Sequence, residues 1–330
     1  MISINIVLVE SSYNYIEYLL YDLFSQDHTD IEINILNNSK IDFHQTVNLN
    51  SEHKNVIRLF NTYPQKGFCE NHNYLINHSN GKYLLILNPD VRLEKNFLYE
   101  AMQHFSDSEI GTISPLLYRM TTISSNLSRD LCDSAGMKLT PNVRHSDIFS
   151  NKKISGEHKP KLIWGVSGAA LFIRRDVLER IKLNDGCYFD ERFFMGREDA
   201  DIAFRLQAIC IKALFVPQSI GYHIRTTLPE NRQDQSPSYN FHQLKNRYLL
   251  MMNNISISVF LLLLPFIIVR ELQILCYLLL YERSSFSVYT WLFKNRSGLS
   301  MHRREIQRNR KQSIIDELSW YFLRYKKYNK

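Results

Sequence analysis

Short apolar runs alternate along the first two thirds of the chain with segments whose apolar residues recur every three or four positions. The short runs are typical of buried strands, and the longer spacing is typical of helices with one buried face. The runs predict strands at residues 4–9, 31–36, 56–60, 83–87, 162–174 and 213–217. The spacing predicts helices at residues 15–24, 67–78, 97–105, 176–181 and 200–208. This alternation predicts an α/β protein whose mostly parallel sheet is flanked by helices.

Residues 120–160 break the alternation, because they are polar, rich in turn-forming residues and poor in long apolar runs. We expect them to form a loop or flap over a site at the sheet edge.

A second apolar region occupies residues 255–269 and 272–281. A membrane span needs about 20 apolar residues, and this region reaches that length only across Pro265, Arg270 and Glu271. The pattern therefore favours interfacial or packed helices over a span. We divide the chain into a domain at 1–250 and a helical C-terminal region at 251–330.

Charge is distributed unevenly along the chain. The net charge is +7, but residues 294–330 hold eleven Lys and Arg against three acids, so residues 1–293 sum to −1. Basic residues contribute about 1 kcal/mol each near an anionic leaflet, and Trp and Tyr favour the headgroup level. The basic segment with Trp320 and Tyr321 thus resembles an element that binds an anionic membrane surface. The alternative is a solvated basic helix packed on the core.

Composition excludes several other classes of protein. A chain of 330 residues with 45% hydrophobic content can bury a full core, which excludes disorder. The five scattered cysteines form no C-x-x-C pair, which argues against a zinc site and a disulfide framework. No recognised nucleic-acid-binding motif accompanies the basic segment. The amino terminus lacks the features of a secretory signal, so we expect a cytoplasmic location, peripheral on the inner membrane.

Two acidic elements carry the candidate chemistry. Asp90, in Asn88-Pro89-Asp90, follows the predicted strand at 83–87, so its carboxylate is expected at the carboxyl end of the sheet, where α/β proteins bind ligands. Glu198, Asp199 and Asp201 lie within four residues at the start of a predicted helix. Such charge density indicates a cation or a proton-transfer role. The alternatives are a turn residue at Asp90 and, for Asp201 and Glu198, charges that stabilise the first helical turn.

Several ordered motifs resemble glycosyltransferase family 2, of GT-A fold, and most closely its bacterial rhamnosyltransferase-like branch. They cover roughly residues 3–250 and are Gly67-Phe68 with Asn73, residues 81–90, Trp164-Gly165-Val166-Ser167-Gly168 with the run to Arg175, Phe189-Asp190-Glu191-Arg192-Phe193-Phe194, and Glu198-Asp199-Ala200-Asp201 with Arg205. The resemblance implies a Rossmann-like GT-A domain with a membrane-associating helical appendage.

The resemblance also implies roles for individual residues. Asp90 would bind a divalent cation, Mg²⁺ or Mn²⁺, that bridges the donor diphosphate, with Asn88 in place of the usual first acid. Asp199 would be the catalytic base that takes the proton of the acceptor hydroxyl. His223 would contact the diphosphate or the metal, the alternative being a simple strand-end histidine.

The resemblance also implies which residues contact the acceptor and the nucleotide. Trp164, Ser167, Gly168 and Glu198 would line the acceptor pocket, and the alternative for Trp164 is an ordinary core tryptophan. The donor would contact Gly67, Asn73 and Asn88. At the nucleotide, the usual acid after the second strand is replaced by Asn37 and Asn38, which can still hydrogen-bond a base or ribose, and Glu10 is a further candidate.

The sequence thus predicts an inverting, metal-dependent glycosyltransferase of bacterial surface polysaccharide synthesis, including O-antigen. The most similar branch implies dTDP-rhamnose as the nucleotide-sugar donor and a saccharide, linked to polyprenyl diphosphate, as the acceptor. The alternatives are a hexosyltransferase that uses a UDP-sugar and a non-catalytic, membrane-docked sugar-nucleotide-binding protein.

Overall fold

The structure is a computed structural model that describes residues 1–48, 56–62, 65–123, 127–154, 158–225 and 229–328. Its strands are β1 (Ile2–Leu8), β2 (Ile31–Asn37), β3 (Ile57–Asn61), β4 (Tyr83–Leu87), β5 (Val91–Leu93), β6 (Ile110–Met120), β7 (Cys132–Ser134), β8 (Met137–Thr140), β9 (Arg144–Asp147), β10 (Lys161–Ile163), β11 (Ala170–Arg174) and β12 (Lys212–Ile224).

The α-helices are α1 (Ile16–Phe24), α2 (Phe43–Thr46), α3 (Phe68–His78), α4 (Phe97–Met102), α5 (Arg175–Arg180), α6 (Glu198–Ala208), α7 (Pro237–Asn254), α8 (Ile257–Tyr281), α9 (Ser287–Lys294), α10 (Arg296–Arg308) and α11 (Ile314–Ser319). Short 3₁₀ segments include Glu10–Asn14, Glu191–Phe193 and Pro229–Asp234.

The main sheet has the order β10-β12-β6-β11-β4-β1-β2-β3. Parallel pairing joins β3, β2, β1 and β4, and it also joins β6 to β12. Strand β11 runs antiparallel between β4 and β6. The predicted α/β fold, with a mostly parallel sheet flanked by helices and a helical C-terminal region, is confirmed.

Two hydrophobic clusters lie on opposite faces of this sheet. Leu84 and Ile86 of β4 belong to one cluster, and Leu85 and Leu87 belong to the other. Since successive side chains of a strand point to opposite faces, β4 is covered on both sides. This explains why residues 83–87 form a continuous apolar run rather than an alternating one.

Two stretches differ from the predicted elements. Residues 162–174 form two strands, β10 and β11, joined by residues 164–169. The pattern does not predict β6, an eleven-residue strand. Pro115 interrupts its apolar residues, and a proline within an apolar run argues against a strand.

The polar segment at 120–160 is not a plain loop. It contains β7, which extends the main sheet, and the antiparallel pair β8–β9. Residues 124–126 and 155–157 of this segment lie outside the described residues.

The apolar C-terminal residues form one helix, α8, that runs through Pro265 for 25 residues. By length and composition it is the one candidate membrane span among the described helices, with 17% of its most apolar window buried. Val259, Leu263, Ile267 and Leu278 pack inward. The helix is continuous across Pro265, Arg270 and Glu271, and Arg247 and the Tyr248 hydroxyl hydrogen-bond the Glu271 carboxylate.

The basic segment at residues 294–330 packs on the rest of the chain. Trp320 and Tyr321 are only 5% and 1% exposed, which corrects their expected place at a membrane surface. Lys326 exchanges backbone hydrogen bonds with Leu162 of β10, and Arg310 forms an ion pair with Glu317 at 2.9 Å. Part of the tail's charge therefore serves internal contacts.

Candidate functional site

The carboxyl ends of three parallel strands carry the polar residues expected to bind the donor. Asn37 ends β2, Glu10 follows β1, and Asp90 follows β4. Because β4, β1 and β2 are neighbours in the sheet and run parallel, these residues share one sheet edge, as ligand sites in α/β proteins do.

Asp90 and His223 meet at this edge. Strand β12 pairs with β5, immediately after Asp90, with His223 opposite Val91. The pairing places His223 Nε2 at 3.4 Å from Asp90 Oδ1. Asp90 Oδ1 is buried and has no hydrogen-bond partner. A buried carboxylate oxygen without a partner is costly, which indicates a ligand or ion at this point.

Asp133 orients His223 from behind. Its Oδ2 lies 2.8 Å from His223 Nδ1, and Arg225 Nε lies 2.8 Å from its Oδ1. Burial alone would raise the pKa of Asp133, but hydrogen bonding by His223 and the charges of Arg225 and Arg119 lower it. Burial alone would likewise lower the pKa of His223, yet Asp133 and Asp90 raise it to about 10.

The pattern does not predict Asp133 or Arg225 as site residues. Arg225 stands two positions after His223, so the period of a strand would have placed it on the same face. Asp133 carries no comparable signal, because it lies 90 residues before His223 in the chain.

The Asp90–His223 pair fits a divalent cation that takes the place of the proton on His223 Nε2, because only the neutral imidazole binds a metal. Carboxylate oxygen and imidazole nitrogen both bind Mn²⁺, and a carboxylate bonded to the second ring nitrogen is the usual support of a metal-binding histidine. No group of three or more His, Cys, Asp or Glu residues with metal-binding geometry occurs among the described residues. Two protein ligands suffice where substrate phosphates supply the rest.

Asp199 lies in the first turn of α6. Its Oδ2 accepts a hydrogen bond from Gly168 N at 3.0 Å, and its Oδ1 accepts one from Ala200 N at 2.7 Å. Burial, partly offset by the Gly168 hydrogen bond, raises the pKa of Asp199. A raised pKa brings a carboxylate closer to the proton affinity that a general base needs.

The neighbouring Glu198 has a different environment. It is 8% exposed, and its Oε2 is buried without a partner. Burial, together with the charge of Asp199, raises the pKa of Glu198 to about 8. The Glu198 carboxyl is therefore largely protonated at neutral pH.

The predicted acceptor residues separate into two groups. Ser167 and Gly168 are half-buried and lie beside Asp199, with Asp199 Cβ only 3.5 Å from where a Cβ on Gly168 would stand. Trp164 is 1% exposed and packs edge-on against Phe204 in the core. Its ring has no free face, so the predicted stacking of Trp164 on a sugar is wrong and Trp164 is a core residue.

Asn37 and Asn38 organise the end of β2. Asn37 Oδ1 accepts from the Ser39 hydroxyl at 2.7 Å, and its Nδ2 donates to Ile41 O at 2.8 Å. Asn38 Nδ2 donates to Lys66 O at 2.9 Å, and Lys66 N donates back to Asn38 Oδ1 at 3.0 Å. Glu10 is exposed and accepts from Gln65 Nε2.

Asn73 holds the segment that precedes α6. Its Nδ2 donates to Phe189 O and Glu191 Oε1, and its Oδ1 accepts from Tyr188 N and Phe189 N. All its hydrogen-bonding positions are used, so the predicted donor contact of Asn73 is corrected to a structural role.

Two more of the predicted donor residues lie at contacts between loops. Gly67 precedes α3, and a Cβ there would lie 2.6 Å from the Phe194 ring. Only glycine permits this close approach. Asn88 N donates to Ala169 O at 3.0 Å, which joins the Asp90 turn to the acceptor segment.

Asp201 is structural. It pairs with Arg205 at 2.8 Å and accepts from Asn254 Nδ2 at 2.8 Å. Asp201 therefore forms a buried ion pair, and it also places a negative charge in the first turn of α6.

Comparison with solved structures shows the same fold. GalNAc-T7, solved with UDP, GalNAc and Mn²⁺, has a TM-score of 0.57 at 14% identity, over 77% of this chain and 48% of that one. TarS of S. aureus has a TM-score of 0.51 at 14% identity, over 77% of this chain and 40% of that one. The mannosyltransferase PcManGT from Pyrobaculum calidifontis, in complex with GDP-Man and Mn²⁺, has a TM-score of 0.50 at 13% identity, over 97% and 86%.

The chain thus spans less than half the length of TarS and of GalNAc-T7. No curated protein sequence matches it significantly. A family model described as Glycosyl transferase family 2 matches residues 3–181, which is more than half of the 330 residues. The chain therefore belongs to glycosyl transferase family 2.

Proposed function

We propose that the protein is an inverting glycosyltransferase that depends on a divalent metal and moves a sugar from a nucleoside diphosphate to a saccharide acceptor. The donor is dTDP-rhamnose, with a UDP-hexose as the alternative. The acceptor is lipid-linked, and the reaction belongs to bacterial surface polysaccharide synthesis at the cytoplasmic face of the inner membrane.

The observation that carries this proposal is the contact between Asp90 and His223. It brings a buried carboxylate oxygen that accepts no hydrogen bond from the described residues next to an imidazole that a second carboxylate orients. Asp90 and His223 would hold the cation, which would neutralise charge that develops on the departing diphosphate.

Three neighbouring structures support the class of donor. TarS was solved with UDP-GlcNAc, GalNAc-T7 with UDP and Mn²⁺, and PcManGT with GDP-Man and Mn²⁺. Each of these ligands is a nucleoside diphosphate or its sugar, so a nucleoside diphosphate donor is the common chemistry.

Asp199 would act on the acceptor. Its carboxylate takes the proton of the acceptor hydroxyl while that oxygen attacks the anomeric carbon, and the bond from this carbon to the diphosphate breaks. One displacement inverts the anomeric configuration. The hydrogen bond from Gly168 N to Oδ2 orients the carboxylate before the acceptor arrives.

Nucleotide release from a panel of sugar nucleotides tests the function. We expect release from one donor when a saccharide acceptor is present, and loss of that release with EDTA. Asp90→Asn, which keeps the shape of the side chain but weakens metal binding, should reduce release about a hundredfold or more. Asp27→Asn is the matched control, since Asp27 is an exposed partner of Lys95.

Two results would contradict the proposal. Release that continues in EDTA and in Asp90→Asn would show that the reaction needs neither a divalent cation nor the Asp90 carboxylate. Tight binding of a sugar nucleotide without any transfer or hydrolysis would instead favour the non-catalytic binding protein.

A further inference from the structure

A cavity rich in arginine lies beside the catalytic residues. It has a volume of about 610 Å³ and is bounded by β9, the end of β12, α7 and α8. Its walls include Arg144, Arg197, Arg232, Arg247 and Arg270. Arg119 and Arg225 also line it, and Asp147 is the one carboxylate among the described residues that do so.

Some of these guanidinium groups have carboxylate partners. Arg225 bonds Asp147 and Asp133, Arg247 bonds Glu271, and Arg232 bonds Glu282. Arg144, Arg197 and Arg270 form no salt bridge with the part of the chain that the structure describes. The cavity thus presents three guanidinium groups that form no salt bridge with the described residues, although the charges of Asp199 and Glu271 act on Arg197 and Arg270.

The electrostatic crowding is strongest at Arg197. Burial, followed by the charges of Arg247, Arg232 and Arg144, lowers the pKa of Arg197 to about 10. The same causes, burial first, lower the pKa of Arg270. Crowded cations destabilise the free protein, and an anion in the cavity would relieve this.

The backbone also holds Arg197 in an unfavourable conformation. Its φ is +72°, in the left-handed region that non-glycine residues rarely adopt. This turn directs Arg197 toward α7, where its Nε donates to Gln243 O at 3.1 Å. Strain of this kind is commonly kept where function requires the geometry.

The position of the cavity assigns it to the acceptor side. Arg197 stands two residues before Asp199, the proposed base, and Asp147 on the cavity wall contributes to the raised pKa of Asp199. The diphosphate of the donor already has the Asp90–His223 pair at the sheet edge. The remaining arginines extend away from that pair along α7 and α8.

The cavity becomes apolar in the direction of α8. A second space of about 410 Å³ shares Arg197, Arg232, Arg247 and Arg270, and its far wall is Ile274, Tyr277 and Leu278. Other faces of α8 expose large apolar side chains, including Val269 at 58% and Leu272 at 57%. A charged chamber that opens onto an apolar helix suits a ligand with an anionic group and a hydrocarbon chain.

We propose that this arginine cavity binds the diphosphate group of a lipid-linked acceptor, and that the lipid chain leaves along α8. The inference rests on the proposed glycosyl transfer, because it assigns the cavity to the acceptor of that reaction. Three guanidinium groups without a salt bridge can neutralise the two negative charges of a diphosphate diester, and guanidinium binds phosphate oxygens in bidentate geometry.

A binding experiment on the full chain tests the inference. The probe is a fifteen-carbon prenyl diphosphate, measured by calorimetry beside inorganic pyrophosphate and the corresponding prenyl alcohol. The variant is Arg144→Gln with Arg270→Gln, since neither residue forms a salt bridge whose loss would leave a described carboxylate unpaired. Arg283→Gln is the matched control, because Arg283 is exposed just after α8 and is not part of the cavity. Melting temperatures verify that each variant folds.

We expect the double variant to weaken prenyl diphosphate binding about tenfold or more, while Arg283→Gln changes it less than about twofold. Affinity for the nucleoside diphosphate should stay within about twofold in all variants. The prenyl alcohol should bind poorly, and pyrophosphate should bind more weakly than the prenyl compound.

Three results would overturn the inference. Unchanged prenyl diphosphate binding in the double variant would show that Arg144 and Arg270 do not bind the diphosphate. An equal loss of nucleotide affinity would assign the cavity to the donor. Equal affinity for pyrophosphate and the prenyl compound would show that the cavity does not bind the lipid chain. A wild-type protein that binds the prenyl compound yet uses no sugar nucleotide would retain the diphosphate and lipid site but contradict the proposed transferase, and with it the assignment of the site to an acceptor.

Discussion

Glu198 and Asp199 are neighbouring carboxyl groups with different surroundings. Asp199 accepts two backbone hydrogen bonds, whereas Glu198 keeps a buried oxygen without a partner. Hydrogen bonds from N–H groups stabilise a carboxylate, but at Glu198 burial and the charge of Asp199 outweigh them and favour the neutral acid. We therefore assign proton transfer to Asp199 and a protonated state to Glu198 at neutral pH.

The first prediction concerns the base. Asp199→Asn preserves the volume of the side chain but cannot take a proton, so turnover should fall about a hundredfold or more while nucleotide affinity changes little. Steady-state transfer rates and nucleotide Kd measure this. Turnover near the wild-type value in Asp199→Asn would move the base to another residue.

The second prediction concerns Glu198, whose pKa is raised from an ordinary value near 4.5 to about 8. Between these two pH values the folded protein holds a proton that the unfolded chain has lost, so the free energy of unfolding falls as pH rises. Glu198→Gln cannot ionise and should gain on the order of 1–3 kcal/mol relative to wild type between about pH 5 and pH 8.

Denaturant unfolding across this pH range measures the effect. Glu109→Gln is the control, because Glu109 is an exposed partner of Lys212. A difference between wild type and Glu198→Gln that does not change with pH would show that Glu198 is ionised in the folded protein.

At the scale of elements, Asn73 of α3 fixes the approach to α6. Its four hydrogen bonds hold residues 188–191, and Lys245 and Asn246 of α7 hold the following turn through Arg192 O and Phe193 O. Helix α6 carries Asp199, so these contacts position the base.

The third prediction separates this structural role from a donor contact. Asn73→Ala leaves two buried N–H groups unpaired, so it should lower the free energy of unfolding by about 2–4 kcal/mol. Nucleotide affinity should change little at temperatures where the variant remains folded. Asn80→Ala, which removes one exposed hydrogen bond to Glu32, should cost less than about 1 kcal/mol. A large loss of nucleotide affinity in Asn73→Ala without loss of stability would restore the donor contact.

At the scale of the whole molecule, the C-terminal region is joined to the catalytic domain. Helix α10 packs against α7, and Arg303 donates to Met252 O and Ile255 O. Deletion of residues 294–330 would remove the buried side chains of Leu299, Trp320 and Tyr321 and would uncover the core residues that pack against them. Such a deletion changes stability and surface charge together, so it is a poor test of membrane binding.

The fourth prediction uses the exposed charges instead. Arg304, Arg308 and Lys311 are exposed, and their replacement with Gln should weaken binding to anionic vesicles without lowering the melting temperature. Each charge near an anionic surface contributes about 1 kcal/mol. Salt should weaken wild-type binding because it screens exposed charges.

Co-sedimentation with anionic and neutral vesicles measures this binding. Equal binding of wild type and the triple variant to anionic vesicles would remove the electrostatic contribution. Attachment that resists salt and yields only to detergent would instead indicate anchoring through α8.

The sequence by itself determined strands β1 to β4 and helices α1 and α3, together with the strand-end position of Asp90. Local periodicity and the order of strands and helices decide both, and parallel strands bring their carboxyl ends to one edge without further information. The same periodicity predicted the helix at 200–208 and the strand at 213–217, and the family resemblance assigned roles to Asp199 and His223 at their ends.

Only the tertiary structure decided which polar and aromatic residues remain available to a ligand. Asn73 and Trp164 belong to family motifs, yet their burial depends on partners that lie 116 and 40 residues away. The arginine cavity combines residues from β9, α7, α8 and the turn before α6, whose separation in the chain leaves no local pattern. Helix α8 places Glu271 beside Arg247 and Tyr248 of another helix, and both hydrogen-bond its carboxylate. Long-range contacts of this kind set burial and charge, and local spacing cannot specify them.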